Sequence, residues 1–599
     1  MAADSRFINR SVMKVMPISE WIWKSKYRHV PENSEPEPDV SESWRRVSRA
    51  VARVEQDPDR WQTTFNAILS DFLFLPGGRV LAGAGTGKCV TLFNCFVAGP
   101  LLDSIESILD SLKETAVTMQ QGGGIGCDFS RLRPSGAPAV TTGSVASGPL
   151  PFMHIWDSLC ETLLATATRR GAMMGTLRCD HPDIEAFINA KRQRNALSNF
   201  NLSVLITDDF MSAVSDDAEW RLIYPANREC ADQPETACKI YRQLPARDLW
   251  QQIIQAAHET AEPGLLFIDN INRSNNLYYC ETISATNPCG EIPLPPYGAC
   301  NLGSVNLTAL VQAPFTARRE LDWQKLHDTV RVAVRFLDDV IDVSRFPLDE
   351  QAHQARSTRR IGIGITGLAD MLAMLRLHYD SDEGRLFAQG IMAAIRESAY
   401  EASVDLARER GTFPYFDKDR YLEAPFIRQL PERLQGSIAK HGIRNSHLLA
   451  IAPAGTISLL AGNISSGVEP IYALEATRKV RGRDLQVQSL DVRDYAYEKW
   501  LATSDDKEGL PETLVTADML SAKAHLAMQA CLQPFVDNAI SKTVNLAADA
   551  SPDDVDEIFS NAYSSGLKGC TVFRPGARWG QVLRSRDESH CCHADREAD

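Results

Sequence analysis

The sequence lacks the features that would place it in a membrane, outside a cell or along a nucleic acid. Near its start, "VMKVMPISEWIWK" is apolar only in short pieces broken by Lys14, Ser19 and Glu20, so it forms neither a signal-peptide core nor a membrane span. Positive charge is not in excess: 63 Lys and Arg stand against 77 Asp and Glu, and a net charge of -14 argues against a nucleic-acid-coating surface. The 14 cysteines are scattered and do not form a secreted disulfide framework. The chain is therefore expected in the cytoplasm, with most of its cysteines serving as small buried apolar residues. Two nucleotide motifs also fail on spacing. "GAGTGKC" at Gly83 to Cys89 has no P-loop glycine at the right distance and ends in cysteine where a Mg²⁺-binding hydroxyl is needed, so it reads as a turn. "GGGIG" at Gly122 to Gly126 lacks the acidic residue and βαβ context of a dinucleotide fold.

What is present fits a large globular enzyme. Charged residues at 23% and apolar ones at 44% are ordinary, and 599 residues allow a big core. Residues 31–43, "PENSEPEPDVSES", read as a linker, with a mostly helical region after them up to about Phe74. Val330, Val334, Leu337 and Ile341 keep one helical face, as do Ile391, Ile395, Ala402 and Leu406 before a stop at Gly411. Leu202, Val204 and Ile206 alternate as a strand does. The mixture indicates an α/β class. Residues 216–246, with Cys230 and Cys238, read as a surface hairpin or insertion, and the polar stretch from Trp579 as a mobile tail.

The most informative stretch is Asn287-Pro288-Cys289-Gly290-Glu291, an amide, a thiol and a carboxylate at alternating positions. In an extended loop the three would project to one face. A neighbouring carboxylate opposes thiolate formation, so this is a poor nucleophile but a suitable cysteine for giving up a hydrogen atom beside a base. Cys95, in "FNCFV", and Cys300, in "ACNLGSVNL", are candidates for a redox pair.

Together with "FLPGGRVLAGAG", "GGGIGCDFSRLRP", "SVASGPLPFM", "RRGAMMGTLR", "HPDIEAFINAK", "EPGLLFIDNINR", "ATNPCGEIPL", "APAGTISLLAG", "SSGVEP" and "QPFVDNAISKTVN", these residues resemble ribonucleotide reductase from about residue 75 to 575. The resemblance implies a ten-stranded α/β barrel made of two five-stranded halves with a central finger loop. Its expected organisation is a helical N-terminal segment over 1–74 without an ATP cone, a barrel over 75–578 and a flexible redox tail over 579–599. It makes Cys289 the thiyl-radical site, Glu291 the acceptor of the 3′-hydroxyl proton, Asn287 the holder of the 2′-hydroxyl, and Cys95 with Cys300 the reducing pair. Cys89 is read as structural.

By the same resemblance, Ala454, Gly455, Thr456, Ile457 and Ser458 form a diphosphate cradle, although the family usually has threonine where Ala454 stands. Asn94, Gly124 and Ser147 fall at substrate positions. Arg133, Arg169 and Arg170, helped by Asp103, are expected to read a deoxynucleotide effector. Cys591 and Cys592, in "SHCCHADREAD", match a tail pair that would re-reduce the barrel disulfide and pass oxidation to thioredoxin or glutaredoxin, with a metal-binding alternative through His590 and His593. No metal site is assigned.

The family's oxygen-dependent class receives its radical through two adjacent tyrosines. The corresponding stretch here is Gly569-Cys570-Thr571-Val572-Phe573, which has none, and no glycyl-radical motif is evident. The resemblance then implies the adenosylcobalamin-dependent class, a homodimer acting on ribonucleotides, more specifically diphosphates. A class I catalytic subunit with a separate radical-generating partner and a non-catalytic nucleotide-binding relative are the alternatives.

Overall fold

A computed structural model describes residues 17–577, apart from 33, 140–142, 165–171, 193–195, 226–237, 482–486 and 504–508. Arg169, Arg170, Cys230, Cys591 and Cys592 lie outside the described residues.

Ten strands form one sheet. In chain order they are β1 (Phe74–Pro76), β2 (Cys95–Val97), β3 (Gly124–Asp128), β4 (Met173–Arg178), β5 (Phe200–Ile206), β6 (Gly264–Phe267), β7 (Ala299–Asn306), β8 (Ile361–Thr366), β9 (Thr543–Asn545) and β10 (Gly569–Phe573). Strands β2 to β6 pair in sequence, every pair parallel. Strand β7 runs parallel to β8, and β9 parallel to β10. Residues 447–451 lie between these pairs, with parallel bridges from Ile363 to Leu449 and from Ile451 to Ile540. The two parallel sets meet antiparallel at two seams, β2 against β7 and β6 against β10. The sheet thus has two parallel sets joined at these seams, with β1 antiparallel on β7.

Parallel strands need crossovers that cover the sheet, so their residues are buried on both sides. Strand β5 shows this: Leu202, Val204 and Ile206 are buried as the alternation predicts, but so are Ser203 and Leu205 between them. The helix Trp323–Val343 buries Val330, Val334, Leu337 and Ile341. The helix Asp382–Arg410 buries Ile391, Ile395, Ala402 and Leu406, and Gly411 caps it at φ 80°. The first described region is helical, with helices Pro17–Ile22, Val40–Ala52 and Pro58–Ser70. It is tied to the rest by Glu55, which pairs with Arg335 at 2.5 Å and Arg410 at 2.6 Å, and by the Ser19 hydroxyl, which donates to the Leu459 carbonyl at 2.9 Å. Residues 219–225 and 238–245 pair as the expected hairpin. No helix among the described residues is long and apolar enough to cross a membrane.

Between β6 and β7 the chain makes a short ladder, Ala285–Thr286 against Pro293–Leu294, whose loop carries residues 287–292. The ladder crosses β3 at two glycines. A Cβ on Gly126 would sit 1.8 Å from the Thr286 carbonyl oxygen, and one on Gly124 would sit 3.1 Å from Pro288. Backbone against backbone cannot be relieved by a rotamer change. Gly126→Ala should therefore destabilise the protein by about 3 kcal/mol or more or prevent folding, as overpacking at a rigid contact does. Gly436→Ala, in the helix Glu432–His441 with nothing near the added Cβ, should instead gain about 0.5–1 kcal/mol from helix propensity. Urea unfolding of both variants checks the pair.

A candidate active site on a hairpin loop

The loop does not extend as its alternating residue types suggest. Pro288, Cys289 and Gly290 form a tight turn, with Gly290 at φ 82° and its amide donating to the Asn287 carbonyl at 3.1 Å. The turn, not strand alternation, brings Asn287 and Glu291 together: the Asn287 Nδ2 donates to Glu291 Oε1 at 2.8 Å. The Asn287 Oδ1 accepts from the Ile292 amide at 3.0 Å, which closes the loop on itself. Asn287 and Glu291 are buried, whereas Cys289, at the turn's tip, is partly exposed. Two residues outside the sequence motif hold the loop from either side. Asn201 of β5 donates to the Pro288 carbonyl at 2.8 Å, and the Ala539 amide donates to the Glu291 carbonyl at 2.9 Å.

Beneath the loop lies the antiparallel seam between β2 and β7, where Cys95 and Cys300 are direct register partners. Opposed residues of an antiparallel pair have Cα atoms about 4.5–5.5 Å apart and side chains on the same face. A disulfide needs about 4.4–6.8 Å, so a bond can form there with little backbone movement. The eleven described cysteines carry no disulfide. The Asn287 Nδ2 lies 3.2 Å from Cys95 Sγ, and that sulfur lies 3.7 Å from Glu291 Oε1. Amide, carboxyl and thiol are therefore in mutual contact. Cys89 differs from a buried structural thiol: it is exposed in the 85–90 turn.

Burial governs the electrostatics. It pushes the Cys95 thiol well up, with the Glu291 charge adding to the effect, and it likewise raises Cys300. Burial lifts the Glu291 carboxyl to about 7, against the hydrogen bond from Asn287. Both thiols are thus held as S–H at neutral pH, and the carboxyl is poised between acid and base. The Glu291 Oε2 is buried without a hydrogen-bond partner among the described residues, and so is the Asn94 Oδ1. Orphaned acceptors in a polar site call for a hydroxyl or amide donor from a ligand.

Of the other expected residues, Gly124 packs on Pro288 and its amide donates to the Asn94 carbonyl at 2.8 Å. Asn94 and Gly124 therefore adjoin the loop. Ser147 does not: it is exposed ahead of the helix Pro149–Leu164, and among the described residues no hydrogen bond joins it to the loop. Arg133 and Asp103 pair with each other at 2.7 Å. Lys568 is a buried residue with no motif to announce it. Its Nζ donates to the Asp537 carbonyl at 2.6 Å, and burial lowers it to about 7. It anchors the segment whose Ala539 holds Glu291.

A cavity of about 840 Å³ opens beside this region, lined by Gly455 and Ser458 of the expected cradle, by Tyr472, Arg478 and Lys523, and by Thr543 and Phe573. The volume is near the top of the range for small-molecule sites, about 300–1,000 Å³. Thr543 follows four residues after Ala539, so the cavity wall and the loop clamp belong to one segment. The lining mixes apolar walls and hydroxyls with two cations, Arg478 and Lys523, and six carboxylates, among them Glu469, Asp494 and Asp518, and contains neither His nor Cys. Such a lining fits a bulky cofactor that brings its own metal ligands, and a cobalamin is of that kind.

A family model described as the ribonucleotide reductase barrel domain matches residues 93–573. A vitamin B12-dependent ribonucleoside-diphosphate reductase of Mycobacterium tuberculosis (strain CDC 1551 / Oshkosh) is 38% identical over 96% of this chain and 82% of its own. A protein of the same description from Thermoplasma acidophilum is 38% identical over 87% of this chain and 66% of its own. A vitamin B12-dependent ribonucleotide reductase of Streptomyces coelicolor is 29% identical over 86% of this chain and 60% of its own.

The Glu291 carboxyl titrates higher in the folded chain than its ordinary 4.5. Between about 4.5 and 7 the folded state thus binds the extra proton, and stability intact below that window is lost as pH rises through it. Glu291→Gln removes the titration. The variant should be more stable than wild type at pH 8, on the order of 1–3 kcal/mol, with the difference vanishing at pH 4. Denaturant unfolding at the two pH values checks this.

Proposed function

Because the chain belongs to the ribonucleotide reductase family, we propose that it reduces ribonucleoside diphosphates to 2′-deoxyribonucleotides in a vitamin B12-dependent reaction. The observation that carries this reading is the opposition of Cys95 and Cys300 across one seam, directly under the Asn287–Glu291 turn. A binding protein has no use for two opposed thiols, a poised carboxyl and a third thiol at the tip of the same loop.

Adenosylcobalamin would be held in the 840 Å³ cavity, where Tyr472, Arg478 and Lys523 are the lining groups suited to its polar edges. Bound there, it supplies the homolytic one-electron chemistry that no side chain of the protein can begin. As a thiyl, Cys289 takes the hydrogen atom from C3′ of the ribose and returns it at the end, so its own electron count is unchanged over a turnover. Glu291 accepts the 3′-hydroxyl proton on its unpartnered oxygen, and Asn287 orients that carboxyl through the 2.8 Å hydrogen bond. Cys95 and Cys300 together give up two electrons and two protons. The 2′-hydroxyl leaves as water, C2′ gains a hydrogen, and a sulfur–sulfur bond forms between the strands. High thiol pKa values suit this step, because each sulfur must carry its hydrogen to the point of transfer.

Gly455 to Ser458 would take the substrate diphosphate. Strand β10 carries Cys570, Thr571, Val572 and Phe573, so no tyrosine there can relay a hole from a partner subunit. A homodimer is supported by an apolar surface on two packed helices, Ile105–Gln120 and Pro149–Leu164, where Ile105, Leu109 and Ile155 are exposed. Asp103, just before the helix Ile105–Gln120, pairs with Arg133, and the two would form part of the effector site. Cys591 and Cys592 would re-reduce the strand disulfide at the expense of thioredoxin or glutaredoxin.

Purified protein with adenosylcobalamin and dithiothreitol should reduce ribonucleoside diphosphates without any metal-loaded partner protein, and Cys289→Ser should lose at least 1,000-fold in kcat (about 4 kcal/mol) while still binding nucleotide. Activity that requires a second, metal-bearing subunit contradicts the reading. Replacing Cys591 and Cys592 by serine should abolish thioredoxin-driven turnover and leave dithiothreitol-driven turnover within about twofold, a difference of under 0.5 kcal/mol. Equal loss with both reductants would point to a structural or metal role for the tail.

A further inference from the structure

The last described strand, β10, ends at the large cavity, where Phe573 and Pro575 form part of the wall. Its exit is pinned. Arg574 donates to the Ala548 carbonyl at 3.0 Å, the Ala577 amide donates to the Arg574 carbonyl at 3.1 Å, and Ala577 is buried. The Arg574 side chain thus ties the end of β10 to Ala548, the neighbour of Asp549 in sequence, and the described chain ends three residues later at the buried Ala577.

The wall beside that exit is two-sided in character. Its apolar part is the half-buried Phe573 and Pro575 over the buried Leu546 and Ile558, while Asp549, Asp554 and Glu557 are exposed on it. Residues 549–557 hold five carboxylates and no base. Some of this charge has partners: Lys523 pairs with Glu557 at 2.7 Å, Asp554 caps the helix Pro552–Ser564 through Ser551, and Asp556 accepts from Trp250 at 2.8 Å. The segment that follows the exit is its complement. Residues 578–586, "RWGQVLRSR", hold Arg578, Arg584 and Arg586 and no acid, with Trp579, Val582 and Leu583 between them. Nine residues reach at most about 30 Å when extended, and the wall includes Ala548, which the Arg574 side chain already touches.

We propose that residues 578–586 dock in cis along the exposed rim formed by residues 547–557, outside the space assigned to the cofactor, with the three arginines against Asp549, Asp554 and Glu557 and with Trp579, Val582 and Leu583 beside Phe573 and Pro575 at the cavity's edge. Docking shortens the tether that carries the tail cysteines. Cys591 and Cys592 then begin only five residues beyond the docked strap, within about 20 Å of the rim. Their effective concentration at the cavity mouth rises accordingly. The docking rests on the cavity, the exit and the charges, and not on what else the cavity holds, so its failure leaves the proposed reaction untouched.

Amide hydrogen exchange of residues 578–586 in the full-length protein, followed by mass spectrometry, tests it. At 50 mM NaCl these amides should exchange at least tenfold more slowly than in Asp549→Lys/Asp554→Lys/Glu557→Lys, and 500 mM NaCl should erase the difference, since exposed charge pairs are screened. Arg578→Glu/Arg584→Glu/Arg586→Glu alters no residue of the folded wall and should lose the same protection. Combining Asp554→Lys/Glu557→Lys with Arg584→Glu/Arg586→Glu should restore it. Equal exchange in wild type and the arginine variant overturns the proposal. Protection that rises with protein concentration overturns it as well, because the strap would then belong to a second copy of the chain.

Discussion

The passage of the hairpin loop against β3 is the contact on which the rest of the site depends. The Thr286 carbonyl runs so close to Gly126 that a single added carbon would overlap it. Only because that approach is allowed can the loop enter at the depth that sets Asn287 against Cys95 and lets Glu291 reach the same sulfur. The two parallel halves of the sheet serve this placement. Their antiparallel seam between β2 and β7 supplies two opposed thiols, and the segment entering β9 clamps the loop from the far side through Ala539. The loop lies next to β7 in sequence but far from β2, and it is held by its own ladder, by the Ala539 amide and by the Asn201 side chain.

Burial then decides what kind of chemistry these groups can do. A thiol meant as a nucleophile sits in electropositive, partly exposed surroundings that draw out its proton. Cys95 and Cys300 have the opposite setting: they are enclosed, with a carboxyl beside one of them, and their protons are held tightly. The same burial that disfavours thiolate brings Glu291 to about 7, where it can take a proton at neutral pH and release it again. The site is thus suited to moving hydrogen with its electron, with one acid–base group alongside, as the proposed reduction requires.

Much of this was legible in the sequence, for physical reasons that differ by element. The helical faces at Val330 to Ile341 and Ile391 to Leu406 follow from period alone, because a long amphipathic helix has few other ways to bury its stripe. Strand β5 was only half legible: alternation marks Leu202, Val204 and Ile206, but Leu205 is equally buried because both faces of a parallel sheet are covered. The redox pair rested on resemblance, since cysteines 205 positions apart say nothing of register until β2 and β7 are aligned. The alternation of Asn287, Cys289 and Glu291 suggested an extended loop, whereas Gly290 adopts the positive φ of a turn. Ala539 and Asn201 were invisible, because the first acts through its backbone amide and the second is one polar residue on a buried strand. Ser147, expected at the substrate, is exposed in the irregular stretch ahead of the helix Pro149–Leu164.

The central claim is that Cys95 and Cys300 are the two-electron reservoir beneath the loop, and a single turnover without external reductant tests it most directly. The protein carrying Cys591→Ser and Cys592→Ser, pre-reduced and freed of thiol, is given adenosylcobalamin and a ribonucleoside diphosphate. Deoxynucleotide is quantified, and disulfides are mapped by peptide mass spectrometry after alkylation. The account predicts one Cys95–Cys300 disulfide for each deoxynucleotide formed, with Cys289 recovered as an alkylated thiol. Product formed while Cys95 and Cys300 remain reduced, or a product-linked disulfide that includes Cys289, would contradict it.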